Sequence, residues 1–414
     1  MDGLKQGYRL SQAENPRDLP AKFFQVNFHL GRFLQNHFRF PTLPNYFKMI
    51  LIQSKNLKNV VIALLEKAGS QAEEADTVAS HLVRANLCGH DSHGVGMLPL
   101  YMKKLGEGLL NPNQKPELLK EDGSILMFEG NRGYGQSVGK QAMEQALELC
   151  KTKGLVLMTL RNSYHMGRIG TFGEQSIYAG MVSLHFVNVT DHPPLVAPYR
   201  GSDARFATNP VCIAMPGTAK QPPILLDMAT SRIALGKVRV ALNKGEELPA
   251  DWLIDHRGQP SRDPSVMESH IYHRSGKESP PGALTPAGDY KGYGLALFCE
   301  LLGGMLSGGF TIQPENERKG GITNNMITFI VDPSRLLEIP AMHHEIEAMV
   351  NYVKASPPAD PENPILIAGD PERISLRERE KDGIPVDDNT WNQILDAGEN
   401  LGLDRDNLLN ISGI

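Results

Sequence analysis

Within six residues, Gly89-His90-Asp91-Ser92-His93-Gly94, the chain places two imidazoles, a carboxylate and a hydroxyl between two glycines. Imidazole titrates near neutrality and can give or take a proton at a reacting centre. The same residues could instead form a capped loop, with Asp91 or Ser92 closing the next helix. The hexapeptide alone leaves both readings open. A second polar loop runs Asn162-Ser163-Tyr164-His165-Met166-Gly167-Arg168-Ile169-Gly170. Its glycines and arginine could hold an anion through backbone N–H groups at a helix N-terminus. His165 is then a proton acceptor or a structural histidine. Asp227 closes the apolar stretch Ile224-Leu225-Leu226. It is either a buried partner for a histidine or hydroxyl, or the N-cap of a helix over 231–240, the commoner use. Lys291, in Tyr290-Lys291-Gly292-Tyr293-Gly294, stands at the mouth of an apolar helix. There it suits an anionic ligand or is simply solvated.

These residues need elements to carry them. Ala75, Val78, Leu82 and Ala85 recur at helical spacing, so a helix is expected over 72–86, ending near Gly89. Further helices are expected over 57–68 and 95–105. The pattern then changes to strand 124–128, helix 135–150 and strand 155–160, a β-α-β unit. Gly133-Tyr-Gly135-Gln-Ser-Val-Gly139 in its connection approaches a dinucleotide fingerprint. Its last glycine comes one residue late, and Arg161-Asn162 stands where an acidic ribose partner is wanted. The alternative use of these glycines is a turn and close helix packing. Beyond it lie helix 171–179, strands 181–189 and 211–214, a loop-like stretch over 243–283, strand 326–331, helix 342–354, a linker over 357–364, and a C-terminal helix pair from Trp391.

Composition bounds the function. The chain has 414 residues, 41% hydrophobic and 21% charged, with a net charge of −5, which argues against a general nucleic-acid binder. Cys88, Cys150, Cys212 and Cys299 are scattered, without a paired spacing. They read as reduced thiols of a reducing, cytoplasmic setting and not as a metal site. No apolar run reaches the length of about 18 residues that a membrane span needs. Residues 1–48 hold seven of the 14 phenylalanines and are locally basic. They are an upstream read-through ahead of a start at Met49, a leader, or a partner-binding arm.

Five motifs in this order, Gly89-His-Asp-Ser-His-Gly94, Tyr164-His-Met-Gly-Arg168, Thr208-Asn-Pro210, Leu226-Asp-Met-Ala-Thr230 and Lys291-Gly-Tyr293, resemble the malate/L-lactate/sulfolactate dehydrogenase family. That family also holds ureidoglycolate dehydrogenase and the piperideine-2-carboxylate reductases. The chain is most similar to its hydroxycarboxylate dehydrogenase B branch, and the likeness covers about 55–405. It implies an NAD- or NADP-dependent oxidoreductase of 2-hydroxy and 2-oxo acids, acting as a homodimer. It also implies a mixed α/β fold in which a non-Rossmann, mixed-sheet cofactor domain (121–334) joins a helical domain built from 49–120 and 335–414. The glycine fingerprint is overruled. Carried over by position, the dinucleotide lies near His93, Gly167, Arg168, Ile169, Leu225, Leu226, Asp227, Met228, Ala229, Lys291, Gly292, Asn324, Gly369 and Asp370. His165 matches the proton acceptor of one branch. Ser92, His93 and Asp227 match the proton relay of another.

Many relatives carry an arginine four residues after the second histidine of the first motif, suited to a carboxylate. Here that residue is Met97. Arg205, Arg168 and Arg200 are the candidates to hold the substrate carboxylate instead, with Arg205 preferred. A methionine suits a bulkier apolar substrate and puts malate in doubt. In reduction, hydride reaches C2 and His165 protonates the oxygen. The rivals are a reductase of cyclic imine 2-carboxylates and a non-catalytic dinucleotide-binding protein.

Overall fold

One apolar face on each N-terminal helix decides how this end of the chain folds. The computed structural model describes residues 49–272 and 280–414; the extension 1–48 lies outside the described residues. Strand β1 (Met49–Ile52) leads into α1 (Ser54–Lys67), α2 (Ala72–Leu87) and α3 (Leu98–Gly106). Helix α1 buries Leu57, Val60, Val61, Leu64 and Leu65, and α2 answers with Ala75, Val78, Ala79 and Leu82. Each large side chain so buried stabilises the fold by about 1.5–3 kcal/mol.

The middle of the chain builds a seven-stranded mixed sheet. In chain order it uses β2 (Glu117–Asp122), β3 (Ile125–Glu129), α4 (Gly135–Lys153), β4 (Leu155–Tyr164), α5 (Gly170–Tyr178), β5 (Val182–Thr190), β6 (Val211–Met215) and β7 (Ile224–Met228). There follow α6 (Leu235–Lys244), a small sheet of β8 (Leu253–Ile254), β9 (Pro260–Ser261) and β10 (Ala283–Leu284) around α7 (Glu268–Tyr272), then α8 (Tyr290–Phe298) and β11 (Thr323–Val331). The large sheet has the order β2-β3-β4-β11-β5-β6-β7. Only β3 and β4 run parallel; the other pairs are antiparallel. The expected β-α-β unit is therefore present without a doubly wound sheet around it. Its glycines serve packing. A Cβ on Gly139 would stand 2.7 Å from the Phe172 ring, and one on Gly135 2.4 Å from the Tyr164 carbonyl oxygen. Helix α4 can thus approach the end of β4 closely.

The C-terminal part adds α9 (Ile339–Lys354), α10 (Asp370–Asp382), β12 (Ile384–Asp387), α11 (Asp388–Asn400) and α12 (Arg405–Ser412). Strand β12 pairs antiparallel with β1. Ile384, Val386, Trp391, Ile394, Leu395 and Leu408 join the core of α1 and α2. Two sequence expectations need correction, and one element was not foreseen. Residues 243–283 are not simply loop, because β8–β10 and α6 enclose a core of their own with Leu248, Leu253, Met267 and Leu284. Helix α6 starts at Leu235, not 231, and no side chain caps it. Helix α10 is absent from the sequence reading because none of its residues is buried, which leaves no apolar period to detect.

Candidate active site

The first polar loop is shaped by the end of α2. Gly89 adopts φ +81°, its N–H donates to the Asn86 carbonyl, and His90 N–H donates to the Ala85 carbonyl. This is the left-handed helix stop that favours glycine. Asn86 then organises the loop. Its Oδ1 accepts from Val95 N–H at 2.8 Å, and its Nδ2 donates to Asp91 Oδ1 at 2.7 Å. A Cβ on Gly94 would overlap the Asn86 amide. Arg379 of α10 grips both Asp91 oxygens, at 2.6 and 3.0 Å. Asp91 therefore pins the loop, while Ser92 and His93 stay together, Oγ to Nδ1 at 2.9 Å.

The second loop follows β4. Asn324 on β11 accepts from Met166 N–H at 2.8 Å and donates to the Asn188 carbonyl, so it holds this loop in place. Gly167 sits at φ +71°. His165 and His93 then stack, with ring centroids 5.6 Å apart and planes within 21°. Both rings line a cavity of about 120 Å³ with Gly167, Asn324, Thr208 and His192, otherwise walled by Ile169, Val187, Val189, Leu195, Ala207, Pro210 and Ile322. Burial pushes His93 down to about 4, despite the nearby Asp227 charge that favours its cation. His165 lies well below its ordinary value through burial, and then through repulsion by the other imidazoles His93, His81 and His192.

Two residues that sequence reasoning missed complete the His165 side. Tyr101 of α3 places its hydroxyl 2.6 Å from His165 Nδ1, and Gln136 of α4 donates to that hydroxyl at 2.8 Å. Tyr101 looked like one more apolar position of a core helix. Gln136 carried a signal in hindsight: an amide directly after Gly135, the residue that lets α4 reach the Tyr164–Met166 backbone.

Several expected residues are occupied elsewhere. Asp227 caps α5, the helix after the second loop, accepting from Gly170 N–H at 2.8 Å, and not the helix over 231–240. It also lies 3.7 Å from Arg168 Nε and 4.0 Å from His90 Nδ1. Arg168 is fully buried and donates to Glu174 at 2.9 Å; Glu174 in turn takes both arms of Arg84. His90 turns to Glu372 at 3.2 Å. The structure does not bring Arg205 to the histidines. It is exposed, doubly bonded to its near neighbour Asp203, and lines a separate cavity beside Leu297 and Glu300. Arg200 is exposed and lies over the Tyr199 ring. Met97 packs against the helical core.

Of the remaining expected positions, Leu225, Leu226 and Met228 lie on β7 and Ala229 follows it. Leu225 N–H donates to the Ala368 carbonyl, which ties β7 to the turn at Gly369 (φ +95°). Ala287 N–H donates to the Thr230 carbonyl, and a Cβ on Gly292 would lie 2.6 Å from that carbonyl oxygen, so Lys291 and Gly292 abut the other end. Asp370 is spent on Arg373 and Lys354, which outweigh its burial and hold its carboxyl down at about 2.

The family model for malate/L-lactate dehydrogenase matches residues 52–395. The chain is 42% identical over 357 residues to hydroxycarboxylate dehydrogenase B of Escherichia coli strain K12, covering 86% of this chain and 95% of that protein. It is 37% identical over 356 residues to an L-lactate dehydrogenase of Cupriavidus necator, covering 86% and 98%. The solved sulfolactate dehydrogenase of Methanocaldococcus jannaschii superposes with a TM-score of 0.74 at 30% identity, covering 86% of this chain and 99% of that one.

Proposed function

The chain belongs to the malate/L-lactate dehydrogenase family and is a nicotinamide-dependent oxidoreductase of 2-hydroxy and 2-oxo acids; from that premise we propose that His165 is its acid–base group. The observation that carries this is the stacked His165–His93 pair on a small, mostly apolar cavity. When bound, the nicotinamide supplies the hydride. The residues of the chain do the rest. His165 gives its proton to the oxygen of the 2-oxo acid in reduction and takes one from the hydroxyl in oxidation. His93, fixed by Ser92, orients the substrate from the facing ring. Asp227 acts through charge, as a neighbour of Arg168 and His93, and not by touching substrate.

The dinucleotide, NAD or NADP, is assigned to the run from His93 and Gly167 through Asn324 and along β7 to Gly369 and Lys291–Gly292. Glycines fix the backbone along this run. A Cβ at Gly292 or Gly167 would meet neighbouring atoms within 3.0 Å, and Gly167 and Gly369 have positive φ. Arg168 and Asp370 support the walls of that run through their ion pairs.

The apolar lining favours 2-oxo monocarboxylates with apolar side chains over malate, whose second carboxylate would want a second cation. We place the enzyme in the cytoplasm, a setting supported by four free, buried cysteines. We also propose a homodimer. Leu297, Phe298, Leu301, Met305 and Leu306 lie on one stretch of chain and are all more than a third exposed, an apolar face suited to a second copy. We also propose the division into 121–334 and its helical flanks; the sheet and the terminal helices have largely distinct cores, although Tyr134 and Tyr164 join that of the helices.

The test is oxidation of NADH and NADPH across a panel from pyruvate and oxaloacetate through 2-oxoglutarate to phenylpyruvate. Turnover of the apolar acids supports the reading. Turnover of oxaloacetate alone overturns the substrate assignment, and turnover only after an amine is added moves the reaction to imine reduction.

A further inference from the structure

We propose that Tyr101, held by Gln136, is a positioning residue that sets which nitrogen of His165 carries the proton. The proposal rests on the reading of His165 as the acid–base group. A phenol has one hydrogen to donate. Gln136 Nε2 donates to the Tyr101 oxygen at 2.8 Å, so the Tyr101 hydrogen is left for His165 Nδ1, 2.6 Å away. Nδ1 is then an acceptor, and the proton of the neutral ring sits on Nε2. With Nδ1 taken by Tyr101, Nε2 is the nitrogen available to the cavity that His165 lines.

The surroundings hold this arrangement firmly. Tyr101 and Gln136 are fully buried. The rings of Tyr134 and Tyr164 meet Tyr101 edge-on, at 5.9 and 5.6 Å, and fix the phenol in its plane. Burial pushes the phenol well above its ordinary value, so it remains a donor and never a phenolate. A hydroxyl is also a suitable partner for a ring that must change protonation state. A carboxylate at Nδ1 would hold the imidazolium. A hydroxyl can donate to the neutral ring and accept from the charged one. Gln136 adds a further option. Its Oε1 is buried and has no hydrogen-bond partner among the described residues. A half-turn of the amide would offer Oε1 to the phenol, so that Tyr101 donates to Gln136 and accepts from Nδ1–H. That arrangement leaves Nε2 bare, as oxidation of a hydroxy acid requires.

The test uses the full-length enzyme with ¹⁵N-labelled histidine. The ring nitrogens of His165 are assigned by their loss in His165→Ala, and tautomers are read in the wild type, Tyr101→Phe and Gln136→Leu. The wild-type ring is expected to carry its proton on Nε2. Tyr101→Phe should lose that preference, lower kcat about 10- to 100-fold, and leave the dinucleotide Kd within about twofold. Gln136→Leu should show a smaller loss in the same direction, which keeps the test open should Tyr101→Phe fail to fold. A wild-type ring protonated on Nδ1 overturns the proposal. So does a Tyr101→Phe enzyme with wild-type tautomer and pH profile. Full turnover in His165→Ala instead overturns the acid–base premise, and with it any positioning role.

Discussion

At His165 the direction of the pKa shift decides which chemistry is at hand at neutral pH. Burial and the neighbouring imidazoles hold the group well below its ordinary value. The ring is therefore neutral at pH 7, and it acts as a base once the Gln136 amide turns and Nε2 is left bare. Oxidation of a 2-hydroxy acid should stay flat from neutrality down and fall only when the pH drops below this lowered value. Reduction needs the proton and should quicken as the pH falls. The pH profile of kcat/KM in each direction checks this, and an oxidation limb that inflects at or above 6.5 would contradict it. The histidines themselves were legible in the sequence because their loops carry so many polar groups between glycines. Their partners were not. Arg205 looked available as a sequence position, yet Asp203 two residues away neutralises it on the surface. Tyr101 looked like core and makes a direct hydrogen bond to the His165 ring.

At the scale of elements, the site depends on how two loops leave their helix and strand. The helix over 72–86 and its stop at Gly89 could be read directly, since apolar spacing and a C-terminal glycine are local signals. The clamp on the loop could not. It comes from Arg379, about 290 residues on by sequence count, on a helix with no buried face. Gly94 marks the tightest point, because its missing Cβ makes room for the Asn86 amide. Gly94→Ala should therefore destabilise the protein by about 1–3 kcal/mol through overpacking, and lower kcat as Ser92 and His93 shift. Thermal unfolding and steady-state rates measure both. An unchanged Tm would mean that the loop is not tied to α2 through Asn86.

For the whole molecule, the buried histidines make folding sensitive to acid. Burial depresses His81 to about 3, His93 to about 4 and His185 to about 3, and His165 is lowered as well. Above the unfolded value near 6.5 both states are neutral and these groups contribute no pH dependence. Below it the unfolded chain binds protons that the folded chain does not, so stability falls as pH drops from about 6.5 toward 4, by up to about 1.4 kcal/mol per pH unit for each histidine. Denaturant titrations at pH 7.5, 6 and 5, pH values chosen on about either side of that window, should show a falling midpoint, and a flat one would contradict the burial. The β3–α4–β4 unit was visible in the periodicity of the chain, whereas the mixed α/β class came from the family resemblance. The order of the sheet was not, because antiparallel pairing of β11 between β4 and β5 joins segments far apart in sequence.

The most direct measurement is His165→Ala, with turnover and dinucleotide affinity determined on the same preparation. Acid–base duty at His165 requires that kcat fall about 10²- to 10⁴-fold while NADH or NADPH still binds with close to wild-type affinity. Equal loss of both, or turnover that survives the substitution, would contradict it and make His165 a structural residue of the loop after β4.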